Sequence, residues 1–85
     1  NALNVNQIEI NTNDIIIHPN PAVNNITISN ILKNYNVEIF NIIGQKVINK
    51  IITPNENTID ISSIAKGTYI VKLNDGIQNF KLIKI

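Results

Sequence analysis

The run Tyr69-Ile70-Val71-Lys72-Leu73-Asn74-Asp75-Gly76-Ile77-Gln78-Asn79-Phe80-Lys81-Leu82-Ile83-Lys84 decides the fold class. Two stretches of alternating side chains flank Asp75-Gly76, a dipeptide suited to the positive φ angles of a two-residue type I′ turn. Such a turn pairs Val71 with Phe80 and Tyr69 with Leu82, and all four then share one face. Ile70, Lys72, Lys81 and Ile83 fall on the other. A slip of one residue would bury the lysines, so pattern and turn demand the same register. Full burial of the four inward side chains contributes roughly 1.5–3 kcal/mol each before chain entropy is subtracted.

Just upstream, Ser62-Ser63-Ile64-Ala65-Lys66 reads as one compact turn, with Asp60 placed to cap its amides. Gly67 lets the chain swing into the next strand. The spacing Ile64, Gly67, Tyr69, Val71 matches a tyrosine corner, in which the phenol is buried and its hydroxyl bonds the backbone upstream. Further out, residues 14–18, 25–30, 35–42, 46–53 and 58–61 alternate in short runs stopped by turn residues. Pro19-Asn20-Pro21 ends the first, because proline brings no ladder donor. Gly44 turns the hairpin between 35–42 and 46–53, and Phe40, Ile42 and Ile43 break the alternation there as a bulge would. No stretch keeps helical spacing for three turns.

Seven short antiparallel strands in one small chain predict an all-β, immunoglobulin-like or fibronectin-like β-sandwich over residues 14–85. Residues 1–13 read as linker from a parent protein or an optional edge strand. Asn1 stands where a start methionine would, as expected for a piece of a longer protein. Of the four aromatics, Phe40, Tyr69 and Phe80 read as core-directed, and Tyr35 is left open.

Composition narrows the chemistry. There are 85 residues, no cysteine and a net charge of +1, and every basic side chain apart from His18 is a lysine. Disulfides, thiolate metal sites and thiol nucleophiles are excluded. Nucleic-acid binding, which favours dense basic patches and arginine forks, is not expected. The longest purely apolar runs, such as Ile15-Ile16-Ile17, fall far short of a membrane-spanning helix. Charge is uneven: from Lys66 to the last residue, Lys66, Lys72, Lys81 and Lys84 stand against one acid, Asp75. The abundant Asn and Ile fit Asn-rich turns and a β-branched core, and equally an AT-rich coding sequence.

No catalytic, cofactor or metal site is expected. His18 is the only histidine, and Glu9, Asp14, Glu38, Glu56, Asp60 and Asp75 are scattered singly over different elements. The serines lack a nucleophile-elbow setting, and three isolated glycines make no phosphate loop.

Three stretches taken in order carry a resemblance. They are His18-Pro19-Asn20-Pro21-Ala22; Val37 to Val47; and Ile59 to Leu73, followed by Asp75-Gly76 and Lys81-Leu82-Ile83-Lys84. Together they resemble the type A C-terminal sorting domain of the type IX (Por) secretion system, over about residues 14–85. That family usually has tyrosine where His18 stands, so a contact needing a phenol hydroxyl would be lost. The resemblance implies a sorting signal, not an enzyme. The exported cargo crosses the periplasm, and the folded domain is recognised there by machinery proteins of the periplasm and outer membrane. A sortase-like peptidase commonly removes it, and the cargo ends at the cell surface or outside the cell. The domain is expected to be monomeric.

By position, the family's motif residues are Pro19, Asn20, Pro21, Gly44, Val47, Gly67, Tyr69, Val71 and Lys72. Backbone geometry accounts for Gly44 and Gly67, and core packing for Val47, Tyr69 and Val71. Ile70, Lys72, Lys81, Ile83 and Lys84 make the expected recognition face, whose edge would also suit a partner strand or an acidic surface. The competing reading is an accessory β-sandwich of a surface enzyme, a carbohydrate binder or fibronectin-like spacer. Sugar binders display exposed aromatics, which this chain has in short supply.

Overall fold

A computed structural model describes residues 15–73 and 78–85. Among these residues the chain is all-β: β1 (Ile16–His18), β2 (Asn25–Ser29), β3 (Tyr35–Phe40), β4 (Lys46–Ile52), β5 (Thr58–Asp60), β6 (Gly67–Leu73) and β7 (Asn79–Lys84). They form two antiparallel sheets, a three-stranded one in the order β1-β2-β5 and a four-stranded one in the order β4-β3-β6-β7.

Period-two alternation explains the core. Ile26 and Ile28 on β2 and Ile59 on β5 point inward from the small sheet. Val37 and Ile39 on β3, Ile52 on β4, Tyr69, Val71 and Leu73 on β6 and Leu82 on β7 meet them from the large one. The β6–β7 register follows the sequence reading, with Tyr69 opposite Leu82 and Val71 opposite Phe80. The Leu73 N–H bonds the Gln78 carbonyl at 3.2 Å, which carries that register toward the turn. The type I′ turn expected at Asp75-Gly76 lies outside the described residues, as does the linker expected over 1–13.

One aromatic departs from expectation, and the one left open finds its place. Tyr35 packs against the core and Phe40 does not. Strand β3 alternates Tyr35, Val37, Ile39 inward, which forces Phe40 to the opposite face. The irregularity that masks this parity sits on the partner strand: Ile39 pairs with Ile48, but Phe40 pairs with Lys46, leaving Val47 as the extra residue of a bulge. Val47 is therefore 38% exposed, not a core residue. Strand β3 stops at Phe40, and Ile42 and Ile43 ride on the loop at 79% and 74% exposure.

Asn41 builds that loop. Its Oδ1 accepts from the Ile43 and Gln45 amides at 3.1 and 2.9 Å, and its Nδ2 donates to Gln45 Oε1 at 2.9 Å. Gly44 supplies the φ of +89° that closes it.

The 62–66 turn is capped as the sequence implies. Asp60 Oδ1 accepts from the Ser62 amide at 2.8 Å. Hydrogen bonds from the Ser62 side chain and then its backbone hold the Asp60 carboxyl below its ordinary value, with Lys50 adding a little. A lowered folded-state pKa contributes stability above the unfolded value of 3.8, and that contribution disappears as pH falls through the lowered value. Asp60→Ala should thus lower the melting temperature at neutral pH, and the deficit should vanish in strong acid. A deficit that is the same at every pH would contradict this account.

Tyr69 completes the corner: its ring is buried and its hydroxyl donates to the Ala65 carbonyl at 2.5 Å.

Candidate recognition surface

The two faces of the large sheet differ in chemistry. One is core. On the other, cross-strand partners line up in rows. One row reads Lys46, Phe40, Ile70, Lys81 across all four strands, and its neighbour reads Asn49, Glu38, Lys72, Asn79. Ile83 stands opposite Thr68 in a third. Partners of an antiparallel pair project to the same side, so each row is one surface feature.

The arrangement is an apolar centre flanked by ammonium groups. Phe40, Ile70 and Ile83 are half-buried, and Lys81 is exposed. The Lys72 Nζ lies 5.3 Å from the Phe40 ring centroid, within cation–π range. Lys46 Nζ pairs with Glu38 Oε2 at 2.8 Å. A groove of about 460 Å³ runs between Phe40, Ile42, Gly44, Ile70 and Lys72. A second, of about 220 Å³, lies beside it between Ile42, Lys66 and Thr68. Asn41 and Ile42 form the wall they share.

Of the residues expected on this face, Ile70, Lys72, Lys81 and Ile83 are brought together. Lys84 is not. It sits opposite Gly67, on the side of Phe80 and Leu82, and is only 9% exposed. Alternation along β7 requires this, since residues 80, 82 and 84 share a face. Phe40, unexpected here, is the central ring of the surface. Its signal was the inward parity of Tyr35, Val37 and Ile39.

The free edge of β7 is also less open than expected. Asn20 Nδ2 donates to the Lys81 carbonyl at 2.8 Å, and the Ile83 amide donates to Asn20 Oδ1 at 3.0 Å. The Ala22 amide donates to the Ile83 carbonyl and the Ile85 amide to the Ala22 carbonyl, both at 2.8 Å. The Pro19–Ala22 segment thus occupies the part of the edge from Lys81 onward. The bonds before both prolines are cis.

His18 bonds Ser29 Oγ through Nε2 at 2.7 Å. Among the described residues, no group of three or more His, Cys, Asp or Glu is placed to hold a metal ion, and no helix is long and apolar enough to cross a membrane.

A family model described as "Secretion system C-terminal sorting domain" matches residues 16–85. The chain belongs to that family. The match begins at the first residue of β1 and takes in all seven strands. This sorting domain is a C-terminal signal for type IX secretion, which implies engagement with that machinery and export to the cell surface or the extracellular space. No curated protein matches the chain. The alternative of a carbohydrate-binding or spacer module is not favoured.

Proposed function

We propose that the secretion machinery reads the sorting domain through the outward face of its four-stranded sheet. The observation that carries this is the row Lys46, Phe40, Ile70, Lys81, in which ring and aliphatic side chains lie between cations beside an open groove. Glu38 is committed to Lys46, so Lys72 and Lys81 are the ammonium groups left to meet an acidic partner. Apolar contact supplies affinity, and the lysines steer and orient the encounter.

In this reading the domain is a folded address label of the immunoglobulin-like or fibronectin-like kind, acting as a monomer without catalysis or cofactor. Two sheets sharing one core, with the Tyr69 corner between them, support that assignment. It is recognised in the periplasm by machinery proteins there and in the outer membrane, and a sortase-like peptidase removes it after transit.

The test joins the domain to a periplasmically exported fluorescent protein in a secreting host. The double variant Lys72→Glu, Lys81→Glu should keep its melting curve within a few degrees. Its secreted reporter should fall at least about tenfold, the equivalent of ~1.4 kcal/mol of lost binding. Lys33→Glu, a charge reversal in the β2–β3 connection, should leave secretion unchanged. A folded double variant secreted as well as the unmodified chain would refute the proposal.

A further inference from the structure

The edge of β7 holds an assignment for Asn20 that the family match does not supply. Among the described strands β7 has one neighbour, β6. Apart from the bridge that Ala22 makes at Lys84, the Lys81 carbonyl and the Ile83 N–H, which point away from β6, have no ladder partner among the described residues. The Asn20 carboxamide meets one of each, a carbonyl and an N–H, with its own donor and acceptor. It does for this edge what a peptide group of a missing strand would do. Pro19 and Pro21 suit that role, because neither has an N–H to compete for those acceptors and their fixed φ angles hold the segment ready.

Lys81 and Ile83 lie, with Asn79, on the outward face of β7. Asn20 binds the backbone of Lys81 and of Ile83, from 61 and 63 residues away in the chain. Resting on the recognition surface described above, we propose that Asn20 is a positioning residue: it locks the last strand so that Lys81 and Ile83 are presented to the machinery. The face is then complete only in a chain whose first loop has docked on its last strand, and Pro-Asn-Pro acts as the clasp.

Amide hydrogen exchange on the sorting domain, combined with the secretion reporter, tests this. In the unmodified chain the Ile83 N–H should be protected like amides inside the sheet, although it faces an edge. Exchange there as fast as in an exposed loop would overturn the proposal before any variant is made. In Asn20→Ala, Ile83 exchange should rise about ten- to a hundredfold while the amides of β3 keep their protection. Secretion should fall several-fold in the same folded protein. Asn20→Asp keeps the acceptor and loses the donor, so its effects should be intermediate, and it serves should the alanine variant fail to fold.

A variant with a loosened Ile83, an intact β3 and normal secretion would defeat the positioning role, provided Lys72→Glu, Lys81→Glu still blocks export. Should that double variant be exported normally, the face itself is wrong, and the role proposed for Asn20 falls with it.

Discussion

Ile39→Ala is expected to lower the unfolding free energy by about 2–5 kcal/mol, the usual cost of truncating a fully buried isoleucine. Ile39 is 0% exposed and lies on β3, an interior strand, between Ile48 of β4 and Val71 of β6. Both flanking positions contribute inward side chains, so the cavity has little freedom to collapse. A domain of this size has a total stability of roughly 4–10 kcal/mol. The variant should therefore be largely unfolded at growth temperature or close to it. Ile51 supplies the contrast, being 66% exposed on the opposite face of β4. Ile51→Ala should shift stability by no more than about 0.5 kcal/mol. Urea titrations of the two variants decide the matter, and equal midpoints would mean that the assigned faces of the sheet are wrong.

The second large effect belongs to Gly67→Ala. Gly67 has a φ of +152°, a conformation that L-residues rarely adopt. A methyl group there would meet nothing nearer than the Tyr69 ring at 4.0 Å, so space is not the obstacle. The cost is backbone strain, about 1–3 kcal/mol, which outweighs the ~0.4–1 kcal/mol that alanine gains by stiffening the unfolded chain. The strain also acts locally, because Gly67 turns the chain so that the Tyr69 hydroxyl reaches back to Ala65. Thermal melts of Gly67→Ala beside Tyr69→Phe would separate the contributions. Phenylalanine loses only the hydrogen bond, about 0.5–1.5 kcal/mol. A Gly67→Ala protein as stable as the unmodified one would show that the turn adopts another conformation.

What could be read from sequence follows the range of the forces involved. The β6–β7 ribbon is legible because its alternation and its turn chemistry are both local and agree. The placement of Phe40 is obscured because the decisive irregularity, the extra Val47, sits on the other strand of the pair. The charge of Lys84 points to the outer face, although its parity with Phe80 and Leu82 says inward. Asn20 is legible only as part of a motif. Its partners are more than sixty residues distant, and no local pattern announces a side chain that substitutes for a strand.

The order in which strands alternate between the sheets constrains how the domain behaves during transport. The chain lays down β1 and β2 in one sheet, β3 and β4 in the other, returns for β5, and crosses again for β6 and β7. Neither sheet can be finished before the other is well advanced, and no subset of consecutive strands makes a stable half. Unfolding is accordingly expected to be close to all-or-none, as is usual for a single domain of this size. Local loosening at the β7 edge aside, a receptor or a pore would then meet either the assembled object or a bare thread.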